Sequence, residues 1–329
     1  MKLKIILTPF IICQSVFCWL STTPAMAQSL TSRTTTANSY LMRGNAWAAK
    51  GEWERAIADY DLAIASDPNQ ADHYYNRAIA RFYLKDYERA RADFTRALQL
   101  KPRDGEAYAD RCVTRFLLGD PDGAISDCDQ AIELEPRLAR AWSHRGLART
   151  LKGEYASAIA DFDRAIKLNP RRAEFYSNRG AARLFMDDAD GAISDQNRAL
   201  KIKPDYPEAY NVRGAARQFK GDLDGALADC DRAVQLAPGF AKAWANRGVL
   251  WRAKGDLRRA EEDLTHAIEL EPQLANPYAH RGIARLLEGR ARDAQSDFDR
   301  YLSLDGSSRK SLDRLIAEAK QQLRERGKQ

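Results

Sequence analysis

Residues 173–206 read AEFYSNRGAARLFMDDADGAISDQNRALKIKPDY, and variants of this stretch recur every 34 residues along most of the 329-residue chain. A proline marks the period, because it returns at the 32nd position of the first seven units, and the eighth has Gly306 there. The seven prolines are Pro68, Pro102, Pro136, Pro170, Pro204, Pro238 and Pro272. A constant period of this length indicates one supersecondary unit that stacks on copies of itself. The fold can therefore be argued from a single unit.

The units are contiguous, and each is predicted to be an antiparallel helical hairpin. They cover residues 37–70, 71–104, 105–138, 139–172, 173–206, 207–240, 241–274 and 275–308. Positions 4, 8 and 11 fall on one face of a first helix, and positions 20, 24 and 27 on one face of a second. Glycine near position 15 ends the first helix, and the proline ends the second. No strand is expected.

Residue size along the unit predicts how the two helices pack. Position 4 is aromatic in every unit, position 8 is small, and position 20 is always alanine. Small residues at positions 8 and 20 let the helices approach closely, and the aromatic side chain at position 4 is expected to fill the space beside them.

This pattern, completed by an aromatic at position 24 and alanine at position 27, resembles the tetratricopeptide repeat family. The resemblance implies an all-α fold, a right-handed superhelical solenoid whose first helices line a concave groove. It also implies a non-enzymatic role in binding peptide or helical segments of other proteins.

The first 27 residues have the pattern of a signal peptide. Lys2 and Lys4 precede an apolar run over residues 5–20, and residues 25–27 form a small-residue cleavage site. Cleavage after Ala27 would leave an exported, periplasmic or secreted, bacterial-type protein of this family. The alternative is a retained membrane anchor, which the proline and polar residues within the apolar run disfavour.

The regions that flank the repeats differ in character. Residues 28–36 are polar and are predicted to be a linker. Residues 309–329 are predicted to form a capping helix with an apolar stripe and a polar outer face, which would end the stacking, and a partner-binding helix is the alternative. The stripe consists of Leu312, Leu315, Ile316, Ala319 and Leu323.

Composition disfavours several functional classes. The formal net charge is +6, and loss of Lys2 and Lys4 would lower it to +4, which is too weak to indicate nucleic-acid binding. After cleavage no apolar run is long enough to span a membrane. The four histidines lack metal-ligand spacing, and no phosphate-binding loop or nucleophile motif is present. We expect no cofactor, no metal site and no enzymatic activity.

Three cysteines, Cys112, Cys128 and Cys230, follow the predicted cleavage site. One interpretation is that all three are small buried apolar residues. The other is a Cys112–Cys128 disulfide, because both residues lie on inward faces of one unit.

Two charged positions depart from the usual family pattern. Position 7 is arginine and position 23 is aspartate in all eight units. We predict partly buried ion pairs between them, because a guanidinium matches a carboxylate in geometry. The central predicted pairs are Arg145–Asp161, Arg179–Asp195 and Arg213–Asp229. The alternative is that these arginines bind an anionic ligand. Position 11 is arginine in six units, and the sequence leaves two roles open: the stem packs while the head reaches solvent or a further acidic residue, or the arginine binds a ligand.

By resemblance, positions 2, 5, 6, 9, 12 and 13 face the groove. An apolar floor edged with amides would suit a peptide. The candidate partner-binding residues are Asn45, Asn76, Phe82, Tyr83, Asp110, Phe116, Leu117, His144, Leu151, Asn178, Phe185, Asn211, Phe219, Asn246 and His280. Residues at positions 12 and 13 have an alternative role, packing against the next unit. A carrier or receptor for a glycan or lipid in the same groove is the alternative function.

Overall fold

The computed structural model describes residues 24–304 and 309–326, with side chains from residue 35 onward. Over this part of the chain the secondary structure is entirely α-helical, which confirms the all-α prediction. The helices are α1 Pro24–Ala49, α2 Trp53–Ser66, α3 Ala71–Tyr83, α4 Tyr87–Leu100, α5 Gly105–Leu117, α6 Pro121–Leu134, α7 Ala139–Leu151, α8 Tyr155–Leu168, α9 Ala173–Leu184, α10 Ala189–Ile202, α11 Pro207–Phe219, α12 Leu223–Leu236, α13 Ala241–Ala253, α14 Leu257–Leu270, α15 Ala275–Leu287, α16 Ala291–Leu304 and α17 Arg309–Arg326.

The helices form hairpins in register with the repeat. From α3 onward each first helix begins at position 1 of its unit, and each second helix begins at position 17. The turn between them has a left-handed residue at position 15, which is glycine in six units with φ between 75° and 86°. Lys85 and Asp187 adopt this conformation in the other two units, with φ of 63° and 60°. The backbone geometry of the turn is therefore preserved even where the glycine is absent.

The chain divides into two compact units at Gly153. The first of these, called unit 1 below, extends to Gly153 and contains α1–α7. The second, called unit 2, begins at Glu154 and contains α8–α17, and each of the two comprises several 34-residue repeats. In unit 2 the final helix α17 packs on α15, with Leu312 and Ala319 buried in a cluster that includes Phe298. This is the predicted capping helix.

The N-terminal region differs from expectation. Helix α1 begins at Pro24, so residues 28–36, expected to form a linker, are helical. No proline or glycine follows Pro24 until Gly44, and proline is tolerated in the first turn of a helix. Residues 1–23 of the predicted signal peptide lie outside the described residues. Its last four residues, 24–27, form the start of α1.

The space beside the small residue at position 8 is filled by position 24 of the same hairpin, and the expectation that position 4 fills it is wrong. A Cβ built on Gly282 would lie 2.5 Å from Cε1 of Phe298, and one on Gly248 would lie 2.7 Å from Cγ of Leu264. The position-4 ring lies one helical turn nearer the proline loop. Trp244, for example, donates its indole N–H to the Pro238 carbonyl at 2.8 Å.

Cysteines occupy both of these positions in the third repeat and position 24 alone in the sixth repeat. Cys112 and Cys128 form a disulfide with a Cα–Cα distance of 5.5 Å, so the second interpretation of the cysteines is the correct one for these two. Cys230 is free and buried, and burial raises the pKa of its thiol to about 12. Its neighbour at position 8 is Gly214.

Candidate functional site

The arginine at position 7 and the aspartate at position 23 form a repeated ion pair. In each pair Nε and Nη2 of the arginine donate to the two carboxylate oxygens, at distances of 2.5–3.0 Å. The pairs are Arg43–Asp59, Arg77–Asp93, Arg111–Asp127, Arg179–Asp195, Arg213–Asp229, Arg247–Asp263 and Arg281–Asp297. Two parallel charge-assisted bonds fix the orientation of each guanidinium.

From the second repeat onward, the remaining nitrogen of the position-7 guanidinium reaches the preceding hairpin. Nη1 of Arg179 donates to Asp163 at 2.5 Å, and Nη1 of Arg213 donates to Asn197 at 2.7 Å. One side chain therefore joins two successive second helices, and the aromatic ring at position 4 covers its other surface. The ring of Trp244, for example, lies 4.6 Å from Cζ of Arg247. These contacts hold adjacent hairpins in register.

Position-11 arginines bind the same aspartates, as seen for Arg81, Arg115, Arg183, Arg217 and Arg285. Nη1 of Arg183 donates to Asp195 at 2.8 Å, and Nη1 of Arg217 donates to Asp229 at 2.8 Å. The carboxylates are at most 5% exposed, so two arginines share one buried acid. This geometry uses the guanidinium groups internally and argues against their alternative role in binding an anionic ligand.

The two residues of the predicted pair Arg145–Asp161 belong to different units. In unit 1, Arg145 donates to Asp129 at 2.6 Å and lies over the ring of Trp142. In unit 2, Asp161 is buried in α8.

Positions 2, 6, 9 and 13 fall on one side of each first helix, because they are three or four residues apart. We call this side the first-helix face. Within each unit, successive first helices touch at the edge of this face, where position 6 meets position 5 of the preceding repeat: Nδ2 of Asn246 donates to Oδ1 of Asn211 at 2.8 Å. The face carries charged residues at position 2 in six of the eight repeats, polar residues at position 6 in six, and apolar residues at position 13.

In unit 1 the face includes a buried acid that is not available to a partner. Asp110, expected to bind a partner, is 3% exposed and accepts a hydrogen bond from the Tyr75 hydroxyl at 2.7 Å. Arg140 lies 3.2 Å from the same oxygen and also contacts Glu106. Burial raises the pKa of Asp110, and the charge of Arg140 opposes that rise. The expectation was wrong because a position-5 tyrosine and a position-2 arginine from neighbouring hairpins close over the carboxylate.

Other predicted residues of unit 1 are also used internally. The amide oxygen of Asn45 accepts a hydrogen bond from the Tyr60 hydroxyl at 2.8 Å, and Asn76 donates to the Asp72 carbonyl. His144 lies 3.2 Å from the Ala109 carbonyl through Nδ1. Phe82 is half-buried against the core of its own hairpin. Phe116 is half-buried in a cluster that also contains Ala148 of the next repeat, which agrees with its alternative role of packing against the next unit.

Five large apolar residues at position 13 are exposed, whereas Leu287 at the same position of the last repeat is buried. The exposed residues are Tyr83, Leu117 and Leu151 in unit 1, and Phe185 and Phe219 in unit 2. Phe185 and Phe219 are each 61% exposed. Phe185 stacks on Tyr155 of the preceding second helix with centroids 4.8 Å apart, which holds its ring beside the turns.

In unit 2 the face between Phe185 and Phe219 is shallow and partly polar. Position 9 is Ala181 and Ala215, both half-exposed. Asn211 and Asn246 bond to each other, while the structure gives the side chain of Asn178 no hydrogen bond to any described residue. An open amide next to small residues and exposed rings is able to meet a peptide backbone.

Two basic residues of unit 2 stand apart from these networks. Nε of Arg252 and Nδ1 of His280 are buried, and neither has a hydrogen-bond partner. Sequence reasoning included His280 but missed Arg252. The sequence did contain a signal for Arg252, because position 12 is uncharged in all seven of the other repeats. These residues are Ala48, Phe82, Phe116, Thr150, Leu184, Gln218 and Leu286.

Over residues 24–304 and 309–326, no cluster of histidine, cysteine, aspartate or glutamate has a geometry suited to holding a metal ion.

None of the described helices has the length and apolar character needed to cross a membrane.

Solved structures share this architecture. The APC/C hetero-tetramer Cut9–Hcn1 has a TM-score of 0.67 at 15% identity, over 90% of this chain and 58% of that one. A tetratricopeptide repeat protein from Parabacteroides merdae gives 0.61 at 17% identity, over 76% and 98%. Pseudomonas aeruginosa pilF gives 0.53 at 19% identity, over 63% and 94%. These likenesses show the fold, and this chain spans little more than half of its Cut9–Hcn1 neighbour.

Family models match the sequence within the repeats, and no curated protein matches it. A model described as tetratricopeptide repeat matches residues 44–111, and one described as TPR repeat matches residues 146–184. Another tetratricopeptide repeat model matches residues 173–206 and 241–274. Together with the hairpins, their constant register and the similar structures, these matches show that the chain belongs to the tetratricopeptide repeat family.

Proposed function

We propose that this protein is a non-enzymatic scaffold of the cell envelope, and that it binds peptide or helical segments of partner proteins on its first-helix faces. The fold is that of a protein–protein interaction scaffold. The observation that carries the proposal is the pair of exposed rings Phe185 and Phe219, each 61% exposed, beside the open amide of Asn178. Exposed aromatics next to unpaired amides provide anchors for side chains and donors for a backbone.

The cell-envelope location rests on two observations. The N-terminal pattern of basic start, apolar run and small-residue cleavage site is that of an exported chain. The Cys112–Cys128 disulfide supports the same location, because structural disulfides persist in oxidising compartments. Fractionation of cells that express the full chain tests the location: we expect a protein cleaved after Ala27 in the periplasm or medium, with one free thiol. An uncleaved protein in the cytoplasm would contradict it.

A peptide-display selection on the mature chain, residues 28–329, tests the binding proposal. We expect enrichment of peptides with aromatic or aliphatic residues, and at least a tenfold loss of affinity in the Phe185→Ala/Phe219→Ala variant, since removing two exposed anchors costs roughly 1–2 kcal/mol or more. The matched control is Leu270→Ala, which removes an exposed apolar side chain from the second helix α14 of the same unit.

The outcome decides between the candidate functions. Peptides that bind the wild type and the Leu270 variant equally, but not the double variant, support the proposal. Equal binding by all three proteins would refute the assignment of the site. If no peptide enriches and a glycan or lipid accompanies the purified protein, the carrier function would replace the scaffold.

A further inference from the structure

The arginine at position 12 of the seventh repeat differs from the arginines at positions 7 and 11 of unit 2. No described carboxylate lies within ion-pair distance of the Arg252 guanidinium, and its Nε is buried without an acceptor. The nearest acidic influence comes from Glu318 of α17, a largely exposed residue that lies close to Arg314. Burial lowers the pKa of Arg252, as expected for a cation that lacks a partner. A partly buried cation without a counter-charge destabilises the folded protein, and a bound anionic ligand would compensate for that cost.

His280 of α15 lies beside this arginine and is also unpartnered. The equivalent histidine of unit 1, His144, has the Ala109 carbonyl 3.2 Å from its Nδ1. Nδ1 of His280 is buried with no acceptor at all. Burial, reinforced by the positive charge of Arg252, lowers the pKa of His280 to about 4. The ring is therefore neutral near pH 7 and holds one N–H donor and one lone pair.

The surrounding charge favours an anion. The first helices of the last two repeats, α13 and α15, contain no acidic residue, whereas α9 and α11 carry Glu174 and Glu208 at position 2. Exposed Lys242 at position 2 places a positive charge on the first-helix face of the same helix, α13. The first-helix face therefore changes from mixed charge to basic toward the end of unit 2.

We infer that Arg252 and His280 form an anion subsite that takes the carboxylate of an acidic side chain in the bound partner segment. This inference rests on the proposed function and names the chemistry of its ligand. Arg252 presents its guanidinium to the carboxylate, and the His280 ring donates a further hydrogen bond. The open amide and the phenylalanine rings earlier in unit 2 would take the backbone and the apolar side chains.

The test uses the mature chain and peptides enriched from the display selection, with blocked termini so that only side-chain carboxylates are present. The key variant is Arg252→Gln, because the preceding repeat carries Gln218 at the same position and tolerates it. The control is Arg258→Gln, which removes the same charge from an exposed position of α14. Binding is measured by fluorescence anisotropy for each acidic peptide and for its Glu→Gln counterpart.

We expect the wild type and the Arg258 variant to bind the acidic peptide about tenfold more tightly than the Gln peptide, as for the loss of a hydrogen bond to a charged group. The Arg252→Gln variant is expected to bind both peptides alike. Glu318→Gln is expected to tighten binding of the acidic peptide, because it removes a competing negative charge. A purely structural role for Arg252 would weaken both peptides equally.

The possible failures are distinguishable. If enriched peptides bind with no preference for the acidic version, the anion subsite is overturned and the scaffold function remains. If no peptide enriches, both proposals are overturned. Inorganic phosphate is the third arm: phosphate binding that depends on Arg252, without any preference between the two peptides, would overturn the peptide carboxylate as the ligand.

Discussion

Replacing Arg247 with leucine isolates the energy of one ion pair in the ladder. Asp263 is 5% exposed, and Nε and Nη2 of Arg247 donate to its two oxygens at 2.7 and 2.8 Å. Position 11 of this repeat is Trp251, so no second arginine shares the acid. The hydrogen bond to Asp263 raises the pKa of Arg247, which shows how strongly the pair favours its charged form. The substitution would leave a buried carboxylate without a cation.

The expected cost is about 3 kcal/mol, the lower end for breaking one partner of a buried pair. Arg179→Leu is the matched comparison, because Arg183 still donates to Asp195 at 2.8 Å after the change. Its cost should be smaller, about 1.5 kcal/mol, the value of a hydrogen bond to a charged group. Both variants also lose an exposed contact to the preceding hairpin, with Asp231 or Asp163. Surface pairs contribute less than ~1 kcal/mol, so this loss largely cancels in the comparison.

Thermal unfolding of the mature chain, followed by far-ultraviolet circular dichroism, measures the difference. At 2–4 °C per kcal/mol for a unit of this size, Arg247→Leu should lower the melting midpoint by roughly 6–12 °C. The double variant Arg247→Leu/Asp263→Leu should recover most of that loss, because no charge is left buried. Hydrogen exchange of α13 and α14 localises the effect, since solenoids open locally. Equal midpoints for the single and double variants would refute the reasoning, and so would equal costs for Arg247→Leu and Arg179→Leu.

Three further predictions concern the cysteines and the buried histidine. A Cβ built on Gly214 lies 3.1 Å from Sγ of Cys230, so Gly214→Cys should form a second disulfide on oxidation, and thiol titration that still finds two free thiols would contradict this. Reduction of Cys112–Cys128 should destabilise unit 1 by about 3 kcal/mol, measured by urea unfolding with hydrogen exchange; loss of protection in unit 2 instead would contradict the assignment. The pKa of His280 is lowered from 6.5 to about 4, so the unfolded state takes up its proton first as the pH falls. Stability should therefore drop by about 2 kcal/mol between pH 7 and pH 5 and less in His280→Asn, measured by urea unfolding, whereas identical pH profiles would exclude the effect.

Repetition in the sequence made several features predictable. A position that recurs in every unit shows its physical role through its period alone, which is why the hairpins, the turn at position 15 and the pairing of arginine with aspartate follow from residues such as Arg179 and Asp195. The capping helix was predictable from its own helical periodicity, because its apolar residues lie on one side only. Such features depend on residues near in sequence, on helix periodicity and on backbone conformation.

Contacts between hairpins were not predictable in the same way. Asp110 fits the pattern of a groove residue, but the Tyr75 hydroxyl and the Arg140 guanidinium, from the hairpins on either side, close over it. The role of the position-11 arginines was hidden because the aspartate they bind already has a partner. Position 4 was assigned to the wrong space, since the distance along a helix does not indicate which neighbour a ring meets.

The sequence by itself determined the unit, its repetition and its internal ion pairs, because periodicity and matched charges act over a few helical turns. Only the tertiary structure decided which polar groups of the first helices bond to neighbouring hairpins and which, like those of Arg252, Asn178 and His280, have no partner among the described residues. The reason is physical: a hydrogen bond between adjacent hairpins depends on side-chain reach and crossing geometry, and residues about 35 positions apart carry no local signal of either.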